Sequence, residues 1–200
     1  EEVTIVDSVT NLIHCDYLRQ VIAALGVTAG RTRLMRLAGN AEVTPHLDQS
    51  YYWVERMRIH VPVVTQPSVM FHCGNATVNM AAGECWIFDT WRRHRVVNAN
   101  PERRIHLVVD TVGGPGFWRL FAEGRPYPSQ SSERDWTPRF VGYDPAADRE
   151  SALESVNQPT VMTPWEVEAL LRFLVGEAPD LAIAPVVPHV DRLCRDWKAL

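Results

Sequence analysis

The sequence lacks any apolar run that approaches the roughly 18 residues needed to cross a bilayer, so no membrane-spanning helix is predicted. Its first residues show neither the basic nor the apolar stretch of a secretory signal, and we expect no signal peptide. The four cysteines are scattered and form no Cys-x-x-Cys pair, which argues against a zinc knuckle or a disulfide framework. A reduced, cytoplasmic protein is therefore the expectation.

An excess of positive charge is lacking as well. The formal net charge is -4, from 20 basic and 24 acidic residues. This balance excludes a nucleic-acid binder that depends on a broadly basic surface, while a local basic pocket remains compatible with it. Two hundred residues suit one domain, or one domain with an appendage, and can bury a sizeable core.

The first 30 residues predict one amphipathic helix packed against a larger body. Apolar side chains recur there at helical spacing, and Gly26 follows as a C-terminal stop. These side chains are Leu12, Ile13, Tyr17, Val21, Ile22 and Leu25.

Residues 31–112 are typical of β-structure. Short alternating segments are separated by the turn pairs Gly39-Asn40, Gly74-Asn75 and Ala82-Gly83. The predicted strands are 31–37, 56–64, 69–72, 77–80, 85–88 and 104–111. Many short strands at close spacing favour a sandwich or barrel over alternating β/α units.

Residues 113–200 lack the alternating pattern of the preceding β-region. Gly113-Gly114-Pro115-Gly116 interrupts the strand pattern, and the proline-rich, polar residues 125–160 predict mostly loop. Thr163-Pro164-Trp165-Glu166 is a capping box with proline at the first helical position, which predicts a helix from Trp165 to about Gly176. A last helix is predicted over 189–200.

The motif that carries chemistry is Pro45-His46-Leu47-Asp48, followed by a distant His94. Two histidines and one carboxylate on one face of an octahedron hold a non-haem Fe(II) and leave positions open for cosubstrate and dioxygen. In an extended segment alternate residues point the same way, so His46 and Asp48 are expected on one side. His-x-Asp alone is a weak signal, because an isolated surface pair is common. His94, one short turn after a strand, strengthens it.

Arg104 strengthens the signal further. A 2-oxoglutarate cosubstrate chelates iron through its keto-acid end and needs a cation for its far carboxylate, which arginine binds bidentately. Arg104 shares a strand face with His106, as Arg58 does with His60. That polar face either meets solvent or lines a ligand cavity, and with the metal motif present we favour the cavity. The opposite apolar face must then be covered, by the N-terminal helix and the C-terminal region.

Five motifs in register resemble the aspartyl/asparaginyl β-hydroxylase family over about residues 30–112, and the bacterial cis-proline hydroxylases are similar over the same stretch. The motifs are Pro45 to Asp48, Arg56 to Pro62, Gly83 to Asp89, His94 to Asn98 and Arg104 to Asp110. The resemblance implies a mainly β, double-stranded β-helix (jelly-roll, cupin-like) core with flanking N- and C-terminal helices. It also implies hydroxylation coupled to conversion of 2-oxoglutarate to succinate and CO2. On this basis 1–118 is the core, and 119–200 is an extension packed on it as a lid or oligomer surface.

The resemblance also implies residue roles. His46 and His94 match the two iron-binding histidines, and with Asp48 from the His-x-Asp motif they would hold Fe(II). Arg104 would bind the far carboxylate of 2-oxoglutarate with help from His60, and O2 is the oxidant. Arg58 lies at the substrate side, where it suits a substrate carboxylate. Trp53 and Trp91, near the motif, are candidate substrate contacts. His14 is expected to be a surface or boundary residue of the predicted helix, and His72 and His189 show no partner pattern.

Asp48 is a departure, because the animal aspartyl/asparaginyl hydroxylases lack the carboxylate ligand. It places the chain nearer the bacterial branch and favours an amino acid or an amino-acid-containing small molecule as substrate. Hydroxylation of aspartyl or asparaginyl residues in a peptide or protein is the alternative. A non-oxidative metal-binding cupin is a rival that has no need of Arg104. A sensor or binding module on the same barrel, with a structural metal in the triad, is a second rival. Expected partners are thus a small-molecule substrate and, as an assembly, a homodimer, without nucleic acid or membrane.

Overall fold

The computed structural model describes residues 4–7, 14–48, 51–127, 136–147, 149–154, 164–177 and 185–199. The predictions that involve Leu12, Ile13 and Thr163 lie outside these residues. Contacts divide the chain into two units, one formed by Glu1–Leu47 with Arg56–Ser155 and the other by Asp48–Glu55 with Val156–Leu200. In the described part of the chain no helix is both long and apolar enough to span a membrane.

The first unit contains two antiparallel sheets. The five-stranded sheet has the order β1-β2-β9-β4-β7, and the four-stranded sheet has the order β3-β8-β5-β6. The strands are β1 Thr4–Asp7, β2 Ala29–Leu37, β3 Ala41–His46, β4 Met57–Val64, β5 Val69–Cys73, β6 Ala76–Val78, β7 Trp86–Phe88, β8 His94–Asn98 and β9 Arg104–Thr111.

The strand order is that of a double-stranded β-helix. From β2 to β9 the chain alternates between the two sheets, except that the hairpin β5–β6 stays within one of them. Each sheet therefore takes four of these eight strands, as in a jelly roll built of two Greek keys. The predicted fold class, mainly β with helices before and after the strands, is confirmed.

One face of the larger sheet is covered by two helices. Ile59, Leu107 and Val109 are fully buried there, in a cluster with Ile22 of helix α1 (Asp16–Leu25) and Phe117 of helix α2 (Pro115–Glu123). The predicted helix and its stop are confirmed, since Gly26 adopts the left-handed conformation at φ 66° and its N–H bonds to the carbonyl of Ala23. The apolar face of β9 is thus covered as expected.

The opposite face of the larger sheet is polar but buried. Its side chains are at most 6% exposed: Arg58, His60, Arg104, His106 and Asp110. The alternative in which this face meets solvent is therefore excluded. A second apolar cluster, centred on Phe71 and Val96 of the smaller sheet, packs inside the same unit.

The structure adds elements that the sequence pattern did not predict. These are β1, β3, β8 and α2. Helix α2 begins at Pro115, directly after Gly113 and Gly114 in positive-φ conformations, so the Gly-Gly-Pro-Gly stretch opens a helix as well as ending a strand.

The second unit contains the short 3-10 turn Tyr51–Trp53 and two helices, α3 Pro164–Glu177 and α4 Val187–Lys198. The helices predicted near 165–176 and 189–200 are both present, the second starting two residues earlier. Glu168 of α3 forms ion pairs with Arg172 and with Lys198 of α4. The packing of a C-terminal extension on the core stays a prediction.

Candidate functional site

Two histidines from neighbouring strands form the centre of the site. His46 ends β3 and His94 begins β8, and the two are direct partners in the antiparallel register. Their ring centroids lie 4.3 Å apart. The ladder shifts register between Val43 and His46, which accommodates Pro45 within the strand. Sheet pairing thus brings together two residues that are 48 positions apart in the chain.

Both rings are oriented by backbone carbonyls. His46 Nδ1 lies 2.7 Å from the carbonyl oxygen of Thr44, and His94 Nδ1 lies 2.8 Å from that of Arg92. A carbonyl oxygen can only accept, so each Nδ1 carries the proton and donates. In the neutral imidazole Nε2 then keeps its lone pair, which is the tautomer that a metal requires.

Asp48 completes the group. His46, Asp48 and His94 each offer one ligand atom, and these atoms all lie within 4.8 Å of one another. Two ligands about 2.1 Å from a shared ion lie at most about 4.2 Å apart, so small side-chain rotations suffice to close the group. Two imidazoles and one carboxylate are the donor set of non-haem iron sites with open positions. The three residues therefore fit a divalent metal such as Fe(II).

Aromatic rings line the interior next to His94. Its ring lies 5.2 Å from that of Phe88 and 5.9 Å from that of Phe71, measured between centroids. Phe88 in turn lies 5.2 Å from the ring of His60 on the facing sheet. An unbroken run of rings therefore joins the histidine pair to the polar face of the larger sheet.

Arg104 lies at the far end of that run. The Nη2 of Arg104 donates to His106 Nδ1 over 2.7 Å. His60 Nδ1 lies 3.3 Å from His106 Nδ1 as well. Burial lowers the pKa of Arg104 to about 10, yet the group stays charged at neutral pH. No ion pair to Arg104 occurs in the described part of the chain, so this buried cation lacks a compensating carboxylate.

Three buried nitrogens in this region have no hydrogen-bond partner among the described residues. They are Arg104 Nε, His106 Nε2 and His60 Nε2. Burying an unpaired charge and unpaired polar groups is costly, so natural interiors provide partners for them. A carboxylate seated against Arg104 would supply the missing charge and an acceptor for the Nε–H of Arg104. The arrangement fits the far end of a dicarboxylic cosubstrate.

A narrow space is lined by Arg104 and His106. Its remaining lining is mostly apolar: Thr65, Val69, Phe71, Met80 and Val96. Phe71 also packs on His94, so this space and the histidine pair share a wall. A ligand anchored on Arg104 would therefore extend along Phe71.

A second charged cluster lies on the same face of the larger sheet. Asp110 is fully buried and binds two arginines, with Arg33 Nη1 at 2.8 Å from Oδ2 and Arg58 Nε at 3.1 Å from Oδ1. Arg58 is also the register partner of Phe88. Arg33 and Asp110 were not predicted as site residues. The sequence did contain a signal for Asp110, because it lies on the same face of β9 as Arg104 and His106.

The two candidate substrate tryptophans differ in environment. Trp53 is buried and packs edge-on against Tyr52 at 4.7 Å, while Trp91 is 45% exposed in the loop before His94. Their contact with a substrate stays a prediction. Of the other histidines, His72 hydrogen-bonds to Thr77.

Fold and donor set together define the class of the protein: a double-stranded β-helix with a two-histidine, one-carboxylate group that could hold a metal ion. The chain belongs to the aspartyl/asparaginyl β-hydroxylase family, because the model of that family matches residues 7–113, just over half of the chain. Membership of this family points to hydroxylase activity.

Solved structures with similar coordinates share little sequence with this chain. A predicted oxalate decarboxylase from Thermotoga maritima is 17% identical, covers 56% of this chain and 81% of its own, and gives a TM-score of 0.38. A Cupin 2 conserved barrel domain protein from Salinispora arenicola is 15% identical over 47% of this chain and 71% of its own, with a TM-score of 0.34. An uncharacterized protein with a double-stranded β-helix domain from Klebsiella pneumoniae is 18% identical over 42% of this chain and 68% of its own, with a TM-score of 0.33.

Proposed function

We propose that this protein is an Fe(II)- and 2-oxoglutarate-dependent dioxygenase that hydroxylates a C–H bond of an amino acid or an amino-acid-containing small molecule. The observation that carries the proposal is Arg104, a buried guanidinium without a carboxylate partner among the described residues, which shares the neighbour Phe71 with the candidate metal ligand His94. Non-oxidative metal chemistry has no need of such a cation.

Each residue has a role in this proposal. His46, Asp48 and His94 hold the metal. Each histidine donates from Nδ1 to a backbone carbonyl, which leaves its Nε2 lone pair for the metal. Arg104, assisted by His60, binds the far carboxylate of 2-oxoglutarate. When bound, Fe(II) and 2-oxoglutarate supply the oxidising power that inserts oxygen from O2 into the C–H bond, with release of succinate and CO2.

The surrounding residues position the substrate and exclude water. Phe71 and Phe88 cover the metal side with apolar surface, which strengthens electrostatic interactions inside the site. Arg58, fixed by Asp110, suits a substrate carboxylate. Trp53 and Trp91 are proposed to contact the substrate. Location in the cytoplasm and assembly as a homodimer belong to the same proposal.

Arg104→Ala tests the proposal. Two charge-assisted hydrogen bonds are each worth about 1.5–3 kcal/mol, so we expect the KM for 2-oxoglutarate to rise at least about 100-fold. Iron binding, measured by titration, should stay nearly unchanged. Arg103→Ala is the matched control, because this neighbour is exposed and its loss should leave the KM unchanged. Equal KM values for both variants would contradict the role of Arg104.

A further inference from the structure

His106 is buried, polar and without a role in the proposed chemistry. It is 1% exposed, lies two residues after Arg104 on β9, and lines the same narrow space. Its neighbours in that space include Val69, Phe71 and Val96, against which an apolar side chain would pack without loss. A histidine with an unpaired buried nitrogen at this place therefore needs an explanation.

The contact with Arg104 fixes the proton of His106. A guanidinium can only donate, so His106 Nδ1 accepts over the 2.7 Å contact and carries no proton. The neutral ring must then carry its proton on Nε2. Burial, followed by the charge of Arg104, lowers the pKa of His106 to about 2, which keeps the ring neutral at physiological pH.

The Nε2–H of His106 is therefore a buried donor. Within the described part of the chain neither His106 Nε2 nor Arg104 Nε has a hydrogen-bond partner. An unsatisfied buried donor costs about 1–3 kcal/mol, which a bound acceptor would relieve. A neutral donor next to one cation gives a pocket with a single positive charge, suited to one carboxylate.

We infer that His106 is a positioning and specificity-determining residue of the cosubstrate pocket, which holds the Arg104 guanidinium through Nδ1 and donates from Nε2 to the carboxylate bound there. The inference rests on the proposed function. Under it, His106 distinguishes keto acids with a far carboxylate from those without one. A histidine that only filled the core would make no such distinction.

The test measures binding and needs no turnover. Affinities of the Fe(II)-loaded protein for 2-oxoglutarate and for 2-oxobutyrate, which lacks the far carboxylate, are determined by calorimetry without oxygen. His106→Phe removes both polar atoms at similar shape and should weaken 2-oxoglutarate binding about 10–100-fold, the range for a lost hydrogen bond to a charged group. Binding of 2-oxobutyrate should change less than about 3-fold.

Two further variants separate the roles of the two nitrogens and keep the test decisive if His106→Phe fails to fold. His106→Gln retains a donor near the place of Nε2, whereas His106→Asn retains an acceptor near the place of Nδ1. We expect the Gln variant to bind 2-oxoglutarate more tightly than the Asn variant. His72→Asn is the control, since His72 hydrogen-bonds to Thr77 and is not among the residues that line the narrow space, and it should bind like the parent.

The outcomes are distinguishable. Unchanged 2-oxoglutarate affinity in the His106 variants, or an equal loss for both keto acids, overturns the inference while the proposed function stands. If the parent protein binds iron but no 2-oxoglutarate, the proposed function fails and the inference fails with it.

Discussion

The most informative stability experiment removes the charge of Asp110. This carboxylate is fully buried and contacts two guanidiniums, Arg33 at 2.8 Å and Arg58 at 3.1 Å. Asp110→Asn preserves the shape of the side chain but leaves both arginines without that counter-charge. An amide oxygen can accept from one arginine, while the amide NH2 faces the other.

The expected magnitude follows from burial. Removing one partner of a buried ion pair costs about 3–5 kcal/mol, because the remaining charge stays in a poorly solvated place. For a chain of this length that corresponds to a fall in Tm of about 6–20 °C. Urea unfolding followed by circular dichroism gives the free energy of unfolding directly.

Asp16→Asn provides the matched control. Asp16 pairs with Arg149 at 3.7 Å, and its side chain is 51% exposed, so water screens the interaction. We expect a change within about 1 kcal/mol. If Asp110→Asn were as stable as the control, the buried cluster would not be the electrostatic unit described above. A folded Asp110→Asn protein should also show a raised KM for substrate, since Arg58 loses its anchor.

Three further predictions concern acid stability, helix packing and the metal. The pKa of His106 is lowered in the folded state, so the folded protein loses stability as the pH falls below the unfolded pKa of about 6.5, at up to about 1.4 kcal/mol per pH unit. In urea titrations between pH 6.5 and 4.5, His106→Phe should therefore lose less free energy of unfolding than the parent. Gly116→Ala would place a Cβ 1.6 Å from the carbonyl oxygen of Gly26 and should destabilise by about 1–3 kcal/mol or more, whereas Gly142→Ala, with nothing within 4 Å, should stay within about 0.5 kcal/mol. Asp48→Ala should abolish activity and weaken metal binding in titrations; retained activity would mean that the histidines alone hold the metal.

Local patterns sufficed to predict much of the β-core. Alternation along β4 and β9 is strong, because one face is aliphatic and the other polar, and both strands were predicted to within one residue. Once Arg104 is assumed to point into the barrel, alternation puts Leu107 and Val109 on the opposite face, which must then be buried by other elements. The short strands β3 and β8 were not predicted, because β3 contains Pro45, which is uncommon inside a strand, and β8 is only five residues long and does not alternate.

Long-range pairing is what the sequence did not reveal. Arg33 and Asp110 are 77 positions apart, and only the adjacency of β2 and β9 brings them into contact. The partnership of His106 with Arg104 was visible as a shared face, but the choice of tautomer and the unpaired Nε2 depend on distances and burial. Helix α2 was missed because its Gly-Gly-Pro-Gly start reads as a strand terminator.

Formation of succinate from 2-oxoglutarate by the purified, Fe(II)-loaded protein in air is the most direct measurement of the proposed function. We predict slow succinate release even without the substrate, dependent on both Fe(II) and O2, and a strong reduction by Arg104→Ala at low 2-oxoglutarate. Iron-loaded protein that forms no succinate under any of these conditions would contradict the assignment.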